Sequence, residues 1–208
     1  MKTIGVLALQ GAFLEHECYL NKCIDKNDYD IKVQTVKTPA ELELCDALII
    51  PGGESTAISQ IAERTGLYEH LYNFVRDRKK AVWGTCAGLI FLASELRNES
   101  ELVKTLGILK VSVERNAFGR QSHSFVSECD FSSFLPEGNS FPAVFIRAPV
   151  IDHVIDERNV KVLHKLTSPQ GSELIVAVRQ GNILATSFHP ELADDIRFHE
   201  WFINEFVI

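Results

Sequence analysis

Short, almost wholly apolar runs alternate with amphipathic helical patterns through the first half of the chain, and this alternation restricts the fold more than any other feature. The strand-like runs are 3–9, 31–36, 46–50 and 81–83; helical patterns cover 13 to about 26, 54–64, 67–78 and 87–96. Thr38-Pro39-Ala40-Glu41 places Thr at the N-cap, Pro at N1 and Glu at N3, a capping box that opens one more short helix. Strands that are apolar throughout have no solvent face, so they belong in a parallel sheet covered by helices on both sides.

Beyond residue 100 the pattern changes. Segments 106–116, 123–129 and 142–149 read as strands divided by turns, and 173–192 carries two strands around Gln180-Gly181-Asn182, a hairpin signal. The last stretch, 194–207, arranges Ile196, Phe198, Trp201, Phe202 and Phe206 around an amphipathic helix. A length of 208 residues, without repeats or long linkers, suits one domain spanning 1–208. The expected fold is α/β: a single-domain three-layer sandwich with a mostly parallel central sheet and an antiparallel extension.

Charge and cysteine usage narrow the function classes. The net charge is −7 and no Lys/Arg stripe is present, which argues against a nucleic-acid partner. The longest apolar runs, such as 47–50 and 174–178, are far too short to span a bilayer. The N-terminal MKTIGVLALQGAF superficially resembles a signal peptide. However, Gln10 and Gly11 interrupt it, no small-residue cleavage site follows, and Glu15-His16-Glu17 comes too soon. Five cysteines (18, 23, 45, 86 and 129) form no C-x-x-C pair, so neither a disulfide framework nor structural zinc is expected. The expectation is a cytoplasmic protein with no membrane partner.

Chemistry is expected where strands end, because ligands in open α/β sheets gather at the carboxyl ends of the strands. Gly84-Thr85-Cys86-Ala87-Gly88 fits the nucleophile-elbow pattern G-x-nucleophile-x-G, with Cys in place of Ser. The helix opening there has positive potential at its amino end, and its first N–H, that of Ala87, is available to an oxyanion. A buried structural cysteine in a Gly-rich turn is the alternative. His189 ends an apolar strand and Glu191 follows two residues later, so in extended geometry both point to one side. The carboxylate can then orient the imidazole and support its charged form; a plain strand-end turn is the alternative. In residues 48–56, LIIPGGEST, a buried strand stops at Pro51 and two glycines precede a helix near Glu54. Backbone N–H groups there suit a developing negative charge. No Walker-type lysine or G-x-G-x-x-G accompanies them. The other histidines, His16 and His199 among them, have no such arrangement and read as packing or surface residues.

Together P-G-G-E-S-T, W-G-T-C-A-G and F-H-P-E resemble the class I, triad-type glutamine amidotransferases. GVLALQGAFLEH, VERNAFGRQSHSF (113–125) and FIRAP (145–149) are similar to the glutaminase subunits of pyridoxal 5′-phosphate synthase, in particular fungal versions, in which the span between Leu14 and Val36 is extended. The resemblance implies hydrolysis of L-glutamine to glutamate and ammonia through a γ-glutamyl thioester. Cys86 is then the nucleophile, His189 the acid/base and Glu191 the orienting carboxylate. Gly53 and Ala87 form the oxyanion hole, and Gly53, Glu54, Ser55, Arg115, Ile146 and Arg147 contact glutamine. Gln10 lies where the family meets its synthase subunit. No cofactor or metal is implied for the glutaminase itself, and the ammonia goes to the separate synthase subunit. Alternatives are a subunit serving another ammonia acceptor, a non-catalytic regulatory subunit, or a Cys hydrolase of the esterase or peptidase kind. The order Cys, His, Glu disfavours an α/β-hydrolase, and Ala87 stands where a related peptidase carries His.

Overall fold

The computed structural model describes residues 1–97, 102–115, 124–135, 140–168 and 171–208. In chain order the first half runs β1 (Lys2–Leu7), α1 (Phe13–Asn27), β2 (Ile31–Val36), α2 (Pro39–Glu43), β3 (Ala47–Ile50), α3 (Ser55–Arg64), α4 (Leu67–Arg76), β4 (Ala81–Thr85), α5 (Ala87–Leu92) and β5 (Ala93–Leu96). The second half contributes β6 (Leu109–Glu114), β7 (Ser124–Cys129), β8 (Phe141–Ile146), β9 (Val150–Val154), β10 (Val160–Thr167), β11 (Glu173–Gln180), β12 (Ile183–Thr186) and α6 (Arg197–Phe202).

The main sheet runs in the order β2-β1-β3-β4-β12-β11-β9-β6-β5, with β10 pairing antiparallel along the other edge of β11. Its first five strands are mutually parallel, and β11, β9 and β6 follow by antiparallel pairing. β7 and β8 form a separate antiparallel ribbon.

Strand alternation sorts the apolar side chains into two layers. Leu7, Leu48, Ile50 and Val82 face one side and pack with Ile58, Leu71 and Phe91 from α3, α4 and α5. Ile4, Val6, Ala47, Ile49 and Trp83 face the other and meet Leu20 and Cys23 of α1, Phe198 and Phe202 of α6, and Phe141 and Phe145 of β8. A sheet buried on both faces between helical layers is the expected sandwich, and the 173–192 hairpin forms as β11–β12. Thr38 caps α2 with the full capping box: its hydroxyl accepts from Glu41 N–H, and the Glu41 carboxylate accepts from Thr38 N–H.

Two local expectations are corrected. The helix anticipated over 87–96 stops at Leu92, and Ala93–Leu96 becomes a strand parallel to β6. The carbonyls of Phe91 and Leu92 accept from Leu106 N–H (2.7 Å) and Ile108 N–H (3.1 Å), so the chain arriving at β6 takes over the last turn. The C-terminal helix begins at Arg197 rather than 194, and its last turns, Ile203–Val207, widen to π geometry. Strands β9 and β10 arise in a stretch where no strand pattern stands out. Most of the 113–125 motif, namely 116–123, lies outside the described residues.

Candidate active site

Three strands of the parallel half end side by side, and each contributes one part of the site. Ile50 pairs with Gly84 across β3 and β4, and Thr186 with Thr85 across β12 and β4. Directly after β4, Cys86 has φ 50 and ψ −101, a left-sided conformation that a residue other than glycine holds only under constraint. Its N–H donates to Thr186 O (2.8 Å), and its carbonyl accepts from Ile90 N–H (3.2 Å). The glycines at either side make the turn possible. A Cβ on Gly88 would lie 2.0 Å from Ile50 O, and one on Gly84 would lie 2.7 Å from the Gly88 backbone. α5 therefore rests directly on the strand ends, with Cys86 lifted at its start. Ala87 opens that helix, so its N–H has no acceptor one turn back.

His189 lies three residues past β12, its N–H donating to Val144 O of β8 at 2.8 Å. Its Nδ1 is 2.7 Å from Glu191 Oε1, and both side chains are buried. The extended geometry expected for His-Pro-Glu is corrected here: Pro190–Leu192 is a 3₁₀ turn, which curls the carboxylate back onto the imidazole. Burial alone would lower the His189 pKa, but its interactions with Cys86 and Glu191 outweigh it and raise the value to about 10. Glu191 is held below the ordinary carboxylate range, because His16 and His189 outweigh its burial.

The third strand end is the Pro51–Glu54 loop. Gly52 O accepts from Ala12 N–H (2.9 Å), and the Gln10 side-chain oxygen accepts from Glu54 N–H (2.7 Å). The loop is thus held from the segment that follows β1. Gly52 passes so close to His189 and Cys86 that a Cβ there would sit 2.3 Å from His189 Cε1 and 3.3 Å from Cys86 Cβ. Glu54 caps α3 through its carboxylate, which accepts from Thr56 N–H (3.0 Å) and Ala57 N–H (2.7 Å). Burial pushes its pKa up, but these backbone donors and Arg115 hold it below the usual value.

A cavity of about 340 Å³ opens over these elements. It is lined by Cys86, Ala87, His189, Gly53, Glu54, Ser55, Arg115, Ile146 and Arg147, nine of the positions singled out from sequence. Arg147 has φ 45, and Ile146 O lies 4.0 Å from Cys86 Sγ. Two of the eleven positions stand outside the lining: Glu191 is behind His189, and Gln10 supports the loop from beneath. Gly11, Ala12, Gly52, Ile90 and Leu192 also line the cavity, although the sequence reading did not select them individually.

The sequence reading also missed the two histidines packed behind Glu191. His16 and His199 are fully buried, with His16 Nδ1 2.9 Å from His199 Nε2. His16 Nε2 is 3.4 Å from Glu191 Oε2 and 3.3 Å from Thr85 Oγ1. Burial lowers the pKa of each histidine to about 3. Their positions 183 apart carry no local signal; only the inward helical face of α1 at His16 hinted at burial. Among the described residues no cluster of three or more His, Cys, Asp or Glu is arranged to hold a metal ion.

Comparison with known proteins agrees with this geometry. Residues 6–208 match the SNO glutamine amidotransferase family. The chain is 63% identical to pyridoxal 5′-phosphate synthase subunit SNO1 of Saccharomyces cerevisiae, covering 100% of this chain and 94% of that one. It is 46% identical to pyridoxal 5′-phosphate synthase subunit PdxT of Dehalococcoides mccartyi, covering 97% and 95%. A crystal structure of a glutamine amidotransferase superimposes with a TM-score of 0.81 at 41% identity, covering 97% of each chain.

Proposed function

The chain belongs to the SNO glutamine amidotransferase family, and we propose on that premise that it hydrolyses L-glutamine and passes the ammonia to a separate pyridoxal 5′-phosphate synthase subunit. The observation that carries this reading is one buried constellation: Cys86 on a strained turn, His189 beside it across Gly52, and Glu191 Oε1 2.7 Å behind His189. The whole chain, 1–208, acts as one glutaminase domain. Its five free cysteines suit the reducing cytoplasm.

Each group has a defined task. Cys86 Sγ, its proton already taken up by His189, attacks the side-chain carboxamide carbon of glutamine. The carbonyl oxygen becomes an oxyanion, received by the backbone N–H groups of Ala87 and Gly53. His189 returns the proton to the nitrogen, the C–N bond breaks, and ammonia leaves a γ-glutamyl thioester on Cys86. Water then attacks the thioester carbon, His189 takes its proton, and glutamate departs, leaving the Cys86 thiolate beside protonated His189. Through both halves Glu191 holds the imidazole by its Nδ1–H and balances its positive charge. Arg115 and Arg147 at the rim suit the α-carboxylate of glutamine, and Glu54 its α-ammonium group, with Ser55 and Ile146 completing the walls.

Ammonia released into neutral water becomes ammonium and loses its nucleophilicity. A glutaminase therefore serves synthesis only when docked on an acceptor enzyme, and the expected contact is near Gln10, beside the loop that carries Gly53. The test is glutamate release by the chain with its synthase subunit, wild type against Cys86→Ala. The variant should keep its fold and lose about 10³-fold or more in rate; turnover within about tenfold of wild type would remove Cys86 from the mechanism.

A further inference from the structure

Glu191 uses only one of its two oxygens on His189. The other, Oε2, is buried without a hydrogen-bond partner among the described residues, and His16 Nε2 faces it at 3.4 Å. A buried carboxylate oxygen left unsatisfied is costly, more so while the triad is charged. We propose that His16 is a positioning residue for the triad: its ring donates from Nε2 to Glu191 Oε2, and His199 fixes the tautomer that makes this possible. The proposal rests on the triad reading above.

The hydrogen-bond arithmetic selects one arrangement. A carboxylate only accepts, so His16 must carry its proton on Nε2 to bond Glu191. Its Nδ1 is then a bare acceptor, and His199 Nε2, 2.9 Å away, must be the donor. His199 Nδ1 is left unprotonated, and that atom is buried with no hydrogen-bond partner among the described residues. The opposite arrangement lets the Thr85 hydroxyl donate to Nε2 (3.3 Å), but it leaves Glu191 Oε2 with no donor and makes His199 bury an unsatisfied Nδ1–H. Three further groups surround the pair. Trp83 meets His16 and His199 edge-on at 5.4 and 5.0 Å, the Tyr19 ring packs on His199 at 5.2 Å, and Thr85 Oγ1 hydrogen-bonds His16 Nε2 at 3.3 Å, sharing it with Glu191. The cage excludes water and keeps both rings neutral. Protons thus line up from His199 through His16 to Glu191, and the carboxylate is gripped from both sides. An acceptor held this way keeps His189 aimed at Cys86 through both half-reactions.

The test compares His16→Leu and His16→Gln in complex with the synthase subunit. Leu removes the donor, whereas the Gln amide restores one near the Nε2 position. By the scale of outer partners that orient a reactive group, His16→Leu should lose about 10- to 100-fold in kcat with KM for glutamine changed less than about threefold, and His16→Gln should recover most of the loss. In a Glu191→Gln background the Leu substitution should cost little more, because His16 acts through that carboxylate. Nitrogen-15 NMR of the wild-type complex, independent of any variant's folding, should find His16 neutral with its proton on Nε2. Wild-type kcat in His16→Leu, no recovery in His16→Gln, an additive cycle, or a proton on Nδ1 would each overturn the proposal. Cys86→Ala is the companion control. If it is inactive while His16→Leu is unimpaired, only the positioning role falls; if it remains active, the triad reading itself falls.

Discussion

Glu191 meets His189 across a single 3₁₀ turn, Oε1 to Nδ1 at 2.7 Å, with Pro190 setting the bend between them. A carboxylate placed so near in the chain needs no long-range packing to find its histidine. Long-range packing instead brings the histidine to the cysteine, through the pairing of β12 with β4.

This arrangement implies a graded set of losses. His189→Ala should fall nearly as far as Cys86→Ala, because proton removal from the thiol and proton delivery to the leaving nitrogen both fail. Glu191→Gln should be about tenfold or more milder than His189→Ala, since it loses charge support and part of the orientation only. Steady-state glutamate release across the three variants measures the ranking. Equal rates for wild type and Glu191→Gln would reduce the carboxylate to a packing role.

Stability should pass through a maximum near pH 6.5. His16 and His199 are buried neutral with pKa values down to about 3, against 6.5 in the unfolded chain. Between those values the unfolded chain binds more protons, so stability rises with pH. The lowered value of Glu191 acts in the same direction on the acid side. His189 is opposite: raised to about 10, its contribution is complete below 6.5 and is lost as pH climbs toward 10. Urea unfolding from about pH 4 to about pH 8.5, below the range where cysteine thiols of the unfolded chain ionise, reads the curve. The alkaline decline should flatten in Glu191→Gln. Wild-type stability still climbing between pH 6.5 and about 8.5 would contradict the charged His189–Glu191 pair.

Gly52→Ala should be far more harmful to catalysis than its size suggests. The new methyl would lie 2.3 Å from His189 Cε1, so the imidazole must leave its place between Cys86 and Glu191. A loss of about 10²-fold in rate is expected from such a misplacement. Kinetics together with a denaturation curve separate this from unfolding. Near-wild-type turnover would show that the ring has room to spare.

Gln10→Ala should weaken activation by the synthase subunit. The Gln10 side chain receives Glu54 N–H at 2.7 Å and packs against Gly53, so it ties the loop bearing one proposed oxyanion donor to the proposed docking side. An oxyanion donor lost or turned away costs about 3–4 kcal/mol, or about 10²–10³ in rate. The wild type alone should therefore be slow and should accelerate as synthase subunit is titrated in, while Gln10→Ala should reach a lower plateau. A flat wild-type titration would exclude partner-gated activation.

Much of the site was readable in the sequence because its determinants are local. The elbow needs small residues around Cys86, the α2 capping box needs Thr38 and Glu41 three apart, and the β11–β12 hairpin needs the turn at Gly181. These are short-range steric and hydrogen-bonding requirements, met or failed within a few residues. Tertiary structure decided what local chemistry leaves open. Ala93–Leu96 has the composition of a helix, yet its pairing with β6 makes it a strand. His16 and His199, unremarkable in their own segments, become one buried pair because Trp83 and the packing of α1 against α6 close over them. Burial and proximity are properties of the assembled layers, and they alone turn an ordinary histidine on α1 into the group that faces Glu191.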